Sequence, residues 1–232
     1  MIKTLYNKDA RKSAQAAVKN FAAAVRQILA QKKYAIVAIP GGRSMVEFFN
    51  VLKREKNIDW KKLHFFMLDE RLVDLKNEDS NFRQAYEKLF QPLIKDGRLS
   101  QGNLHPFNYN SKAADCGINA YRKELKKFGL KYDIVIAGVG EDGHIGALFP
   151  DHSALENKAD FVILRDAPKK PAGRITSSVK LIQTAPVAFV FFIGEKKRAA
   201  YKKFFNNSTG DKKCPAKILK KIKNLYIITD LV

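Results

Sequence analysis

Between residues 8 and 31 the apolar positions fall at Ala14, Ala17, Val18, Phe21, Val25, Ile28 and Leu29. That spacing of three and four predicts an amphipathic helix. The next segment, YAIVAIPGG, changes period: a short unbroken apolar run is stopped by Pro40 and two glycines, as expected of a buried strand running into a loop. The same switch recurs along the chain. Strands are predicted over 34–39, 63–68, 132–138, 161–165, 187–193 and 225–229, and helices over 44–56, 80–94, 111–128, 195–206 and 215–222. Near-continuous apolar strands separated by helices imply an α/β fold, with a largely parallel sheet covered on both faces. With no long-period repeat and no Pro/Gly/Ser linker, residues 1–232 are expected to form a single domain.

Ligands on such sheets sit outside the carboxyl ends of the strands. Four loops are thereby gathered into one candidate site: PGGRS after 34–39, DERLVD after 63–68, GVGEDGH after 132–138 and GEKKR after 187–193. The first leads into a helix whose opening amides suit a phosphate, and Arg43 and Ser44 add a charge and a hydroxyl. It lacks the Gly-Lys-Ser/Thr ending of a nucleotide P-loop, so a triphosphate is not indicated; the alternative is a plain strand-to-helix turn. The second places Asp69, Glu70 and Arg71 directly after a buried strand, where at least one is expected to serve a site and another to cap or pair structurally. Ser80 and Asn81 both suit the N-cap of the following helix.

The third loop has two readings. Gly138, Gly140 and Gly143 spell G-x-G-x-x-G after a strand, the fingerprint of a dinucleotide-binding turn. That site requires a full helix after the third glycine, and Pro150 stands only seven residues on. The dinucleotide reading is therefore set aside. The same turn carries Asp142 and His144, a carboxylate that can orient or charge-stabilise an imidazole, or act on substrate itself. His64, His105 and His152 are expected to be structural. Late in the chain Arg174, Lys196 and Lys197 fall near strand ends or helix starts, where cations suit a phosphate.

Composition narrows the class. Of 232 residues, 46% are apolar, enough for a sizeable core. No window of about 18 apolar residues is present, and the first residues lack the pattern of a secretory signal. A cytoplasmic chain without membrane association is expected. Cys116 and Cys214 lie far apart with no C-x-x-C spacing, so neither a disulfide framework nor a cysteine zinc site is expected. The formal charge of +20 draws the chain toward polyanions or phosphorylated metabolites. Its lysines are scattered in small groups, such as Lys32-Lys33 and Lys126-Lys127, without an aromatic-rich strand among them, so nucleic acid is not the favoured partner.

In this order the segments GGRS, DER followed by SN, GVGEDGHIGALFP, PAGRIT and GEKK resemble the 6-phosphogluconolactonases and their relatives the glucosamine-6-phosphate deaminases over nearly the whole chain. The resemblance implies the three-layer α/β/α, Rossmann-like fold shared by the two, with a mostly parallel sheet. It also implies hydrolysis of 6-phosphoglucono-δ-lactone to 6-phosphogluconate, a step of the pentose phosphate pathway, with no cofactor and no metal. By the same resemblance His144 is the base, assisted by Asp142 or Asp69. Gly41, Gly42, Arg43, Ser44, Arg71, Asn81, Arg174 and Lys197 are the positions for phosphate and sugar contacts. Deaminase turns read like D-G-H-I-A-F-N-E-P; here Leu148 and Phe149 precede Pro150 and that Glu is missing, although Ile145 and Gly146 depart from the commoner Thr-Ala of lactonase turns. The rival readings are a deaminase or isomerase on the same scaffold, and a catalytically silent phosphosugar or nucleic-acid binder. A monomer is favoured.

Overall fold

A computed structural model describes residues 1–42 and 45–231. Seven strands form an all-parallel sheet in the order β1-β10-β9-β6-β2-β3-β5. They are β1 (Ile2–Tyr6), β2 (Ala35–Ile39), β3 (Leu63–Met67), β5 (Leu104–His105), β6 (Ile134–Gly138), β9 (Val187–Phe192) and β10 (Asn224–Thr229). Three others, β4 (Asp69–Arg71), β7 (Phe161–Leu164) and β8 (Arg174–Ser177), make a separate antiparallel sheet in the order β4-β8-β7.

The pleat of β2 explains why its AIVAI run is wholly apolar. Ala35, Val37 and Ile39 face one core, while Ile36 and Ala38 face the other. The first core packs beneath α1 (Ala10–Leu29), α2 (Val46–Leu52) and the helical stretch α3 (Asn81–Ala85), a π turn over Tyr86–Phe90 and α4 (Gln91–Lys95), with Phe21, Phe48 and Phe90 fully enclosed. The second is closed by α5 (Ile118–Lys126), α6 (Val179–Ile182), α7 (Arg198–Phe205), the 3-10 helix Pro215–Lys221 and the small sheet. Helices thus cover both faces of the parallel sheet, as the three-layer expectation requires.

Several elements depart from the sequence expectation. The segment 161–165 is a strand, but of the antiparallel sheet. Strands β1, β4, β5 and β8 carry no period-two signal of useful length: β1 is an almost wholly exposed edge, β5 has two residues, and β4 and β8 read as charged or polar loops. The helix expected over 111–128 begins only at Ile118, because Gly117 enters it from a left-handed conformation at φ +94 that ends a series of turns. The segment 215–222 is 3-10 rather than α. Among the described residues no helix is long and apolar enough to cross a membrane.

Candidate active site

Three strands of the parallel sheet and the small antiparallel sheet meet at one cavity of about 170 Å3. β2 runs out into Pro40, Gly41 and Gly42; β6 into the turn 139–146; β9 into the 3-10 segment Glu195–Lys197; all three line it. These are three of the four loops gathered from the sequence, and Asp69 and Arg71 bring the fourth.

The glycines at the β2 end are set by close approach. A Cβ on Gly41 would stand 2.6 Å from Cγ and 2.7 Å from Cα of Asn81, so only a glycine lets the start of α3 pass this near. The Gly42 amide donates to Gln84 Oε1 at 3.1 Å, tying the loop to the same helix. Arg43 and Ser44 lie outside the described residues.

In the β6 turn, the Gly140 amide donates to the carbonyl of His144 at 2.8 Å, and the Gly143 amide to the carbonyl of Gly140 at 3.0 Å. This tight path brings Asp142 back onto His144. Asp142 Oδ1 accepts from the His144 amide at 3.2 Å and meets the ring Nδ1 at 2.5 Å. Partial burial raises the Asp142 carboxyl, but the bond to His144 and that ring's charge outweigh it, holding Asp142 well below the usual carboxylate range. The imidazole lies where a side chain on Gly140 would be, and its other neighbour is Phe149, with ring centroids 4.6 Å apart.

The antiparallel ladder supplies the other charged groups. Asp69 pairs with Thr176, Glu70 with Ile175 and Arg71 with Arg174. Side chains alternate along a strand. Asp69, Arg71 and Arg174 line the cavity, and Glu70 turns the other way. Glu70 is fully buried and caps α3: its carboxylate accepts from the amides of Arg71, Asn81 and Phe82, each at 2.7 Å, and from Ser80 Oγ at 3.0 Å. Burial pushes its carboxyl upward, and the backbone donors pull it back. Of the expected trio, Glu70 is thus the structural member. Ser80 is the N-cap, accepting from the Arg83 amide at 3.1 Å.

Asp69 is held by Asn81 Nδ2, which donates to its carbonyl at 3.0 Å and to Oδ2 at 3.1 Å. Burial raises its carboxyl; Arg71, Arg174, His144 and Asn81 oppose the rise. Arg71 Nη1 donates to the Asp79 carbonyl, while its buried Nε has no partner among the described residues. Arg174 is 6% exposed, and donates from Nε to the Pro171 carbonyl at 3.0 Å and from Nη2 to those of Lys169 and Lys170, each at 3.2 Å. Burial and then the neighbouring Arg71 lower its guanidinium from its ordinary value; an arginine stays charged regardless. Lys197 is lowered by burial, against the attraction of Glu141.

Of the expected site residues with described coordinates, Lys196 is exposed and does not line the cavity, and the others reach this one neighbourhood. Asp142 stands behind His144, and Gly41, Gly42, Asp69, Arg71, Asn81, His144, Arg174 and Lys197 line the cavity itself. Two lining groups escaped sequence reading, Glu141 and Lys169. Lys169 sits in the same Lys-Lys run as exposed Lys170, and only its ion pair with Asp142 Oδ2, at 3.5 Å, sets it apart. The histidines expected to be structural are so. His64 Nδ1 meets His105 Nε2 at 3.0 Å, His105 Nδ1 lies 3.2 Å from Glu124, and His152 caps the turn Ser153–Glu156. Among the described residues no group of three His, Cys, Asp or Glu is placed to hold a metal. A larger groove, about 670 Å3, runs beside Phe82, Tyr86 and Pro106 and contains none of these residues.

A curated relative from Borreliella burgdorferi, named 6-phosphogluconolactonase, is 31% identical over 200 residues, covering 86% of this chain and 85% of its own. The fold superposes on the crystal structure of 6-phosphogluconolactonase from Thermotoga maritima with a TM-score of 0.84 at 21% identity, covering 99% of this chain and 98% of that one. It also superposes on a monomeric glucosamine-6-phosphate deaminase, with a TM-score of 0.81 at 17% identity, over 98% and 96% of the two chains. The architecture is therefore common to both activities. Residues 8–227 match the family described as glucosamine-6-phosphate isomerases/6-phosphogluconolactonase, and the chain belongs to that family.

Proposed function

We propose that the protein hydrolyses 6-phosphoglucono-δ-lactone to 6-phosphogluconate. The observation that carries this reading is the surroundings of His144: Asp142 at Nδ1, Phe149 against the ring, and a cavity lined by cations in front of it. Phe149 occupies the position before Pro150 at which a deaminase turn carries its glutamate, so this turn offers an apolar wall in place of a second proton carrier.

The chemistry then needs a base, a place for developing negative charge and an anchor for the remote phosphate. With Nδ1 bound to Asp142, His144 uses Nε2 to take a proton from water as the water oxygen bonds to the lactone carbonyl carbon. The tetrahedral oxyanion collapses with rupture of the bond from that carbon to the ring oxygen. The proton on Nε2 passes to the departing oxygen, which becomes a hydroxyl. One water has been added and His144 is restored. Asp69, buried beside this centre, helps to set the charge around His144. The Gly41–Gly42 loop with Arg43 and Ser44, Arg71, Asn81, Arg174 and Lys197 hold the phosphosugar.

The test is proton release from freshly generated 6-phosphoglucono-δ-lactone above the spontaneous rate, with ammonia release from glucosamine 6-phosphate followed in parallel. His144→Ala is expected to lower kcat by at least about a hundredfold, with little change in affinity for the product. Ammonia release without lactone hydrolysis, or unchanged turnover in His144→Ala, refutes the proposal.

A further inference from the structure

The turn 167–172 carries Lys169 to the rim of the cavity, and its geometry is tied to Arg174. The Ala167 amide donates to the Ala172 carbonyl at 3.2 Å, closing the turn at its base. Inside it the carbonyls of Lys169, Lys170 and Pro171 all converge on the Arg174 guanidinium. Three carbonyl dipoles on one cation fix the backbone of the turn relative to β8. Nη1 remains as the nitrogen of Arg174 open to an anion among the described residues. Lys169 differs from Arg174 in freedom: its side chain is 45% exposed. Its ammonium pairs loosely with Asp142 Oδ2 and acts on the nearby Lys197 ammonium, as one cation beside another.

We infer that Lys169 is a further substrate-binding residue: an additional cation, beside Arg174 and Lys197, that leaves Asp142 and closes over the phosphate monoester when the phosphosugar enters. This rests on the phosphosugar reading of the site. The exchange is favourable on charge, because a phosphate dianion offers more oxygen acceptors and more charge than one carboxylate oxygen already shared with His144. It also couples two steps, since an anion drawn to Nη1 of Arg174 meets the turn that Nε and Nη2 already hold.

The experiment compares wild type, Lys169→Ala and Lys169→Arg with ligands that do and do not carry the phosphate. Binding is measured by titration calorimetry with 6-phosphogluconate and with glucosamine 6-phosphate, and turnover with 6-phosphoglucono-δ-lactone and with unphosphorylated glucono-δ-lactone. Lys169→Ala is expected to weaken phosphosugar binding and raise KM for the phosphorylated lactone by about tenfold. The loss with the unphosphorylated lactone should be much smaller, and Lys169→Arg should restore most of the loss with the phosphorylated one. Equal losses of kcat with both lactones would place Lys169 at the reacting end, acting through Asp142, and overturn the inference, as would unaltered binding in Lys169→Ala. If the wild type binds phosphosugars through Lys169 yet hydrolyses no lactone, the inference stands and the lactonase proposal falls. If the wild type binds neither phosphosugar, both fall.

Discussion

Gly140→Ala is the sharpest perturbation of the proposed chemistry, because it adds one methyl group and removes nothing. The new Cβ would overlap the Nδ1–Cε1 edge of the His144 ring and stand 2.7 Å from Asp142 Oδ1. Ordinary contact between such atoms is about 3.5 Å, so the ring must retreat by roughly 1–1.5 Å. It cannot do so freely, with Phe149 already 4.6 Å from its centroid and Nδ1 tethered to Asp142. Gly140 is not among the glycines at positive φ, so its backbone accepts alanine without conformational strain. The damage therefore falls on alignment. A misplacement of about 1 Å costs on the order of a hundredfold in rate. The assay is kcat/KM for 6-phosphoglucono-δ-lactone, beside a thermal melt and calorimetric binding of 6-phosphogluconate. Loss of turnover with the fold retained is expected. A Gly140→Ala enzyme as fast as wild type would refute the argument that His144 is held in a working position by its contact with this glycine.

Two further outcomes concern stability. Glu70→Ala leaves three donors at the start of α3, and the Arg71 amide, without their acceptor and should destabilise the fold by about 3 kcal/mol in urea unfolding; an unchanged midpoint would remove the capping role. His105 is pushed down to about 4 by burial, then by neighbouring His64 and Lys127, with Glu124 opposing. An unfolded histidine takes up its proton near 6.5, so between about 6.5 and 4 the unfolded chain binds more protons than the folded one. This contribution to stability is present above that window and is lost as pH falls through it, on the order of 3 kcal/mol at most. Melting temperature should decline more steeply from pH 7 to 4.5 in wild type than in His105→Gln, and parallel declines would refute the assignment.

How far the sequence could be read depended on how each residue's position is fixed. The central strands were legible because burial on both faces forces an unbroken apolar run, as in AIVAI and VAFVFF. The turn holding Asp142 and His144 was legible because the hydrogen bonds that fold Asp142 back onto His144 are made within a few residues. By contrast β4 and β8, separated by about a hundred residues, recognise each other only through the ladder that sets Arg71 opposite Arg174. No window of either segment reveals the other. Lys169 was hidden for a different reason: neighbouring lysines are equal in composition, and only the fold of the turn, held by Arg174 a few residues on, brings one of them to the cavity beside Asp142.

That ladder also explains why the charged trio must read Asp-Glu-Arg in this order. A strand sends alternate side chains to opposite faces, and a slip of one residue exchanges them all. In the observed register Asp69 and Arg71 enter the cavity beside Arg174, while Glu70 meets the bare amides of Asn81 and Phe82. Shifted by one, Glu70 would enter the site and α3 would lose its cap, so the site would be altered and the helix carrying Asn81 loosened together. Asn81 in turn holds Asp69 and leaves room for no side chain on Gly41. The capping of a short helix and the shape of the cavity are therefore one constraint. Glu70 serves the chemistry without touching the space where it takes place.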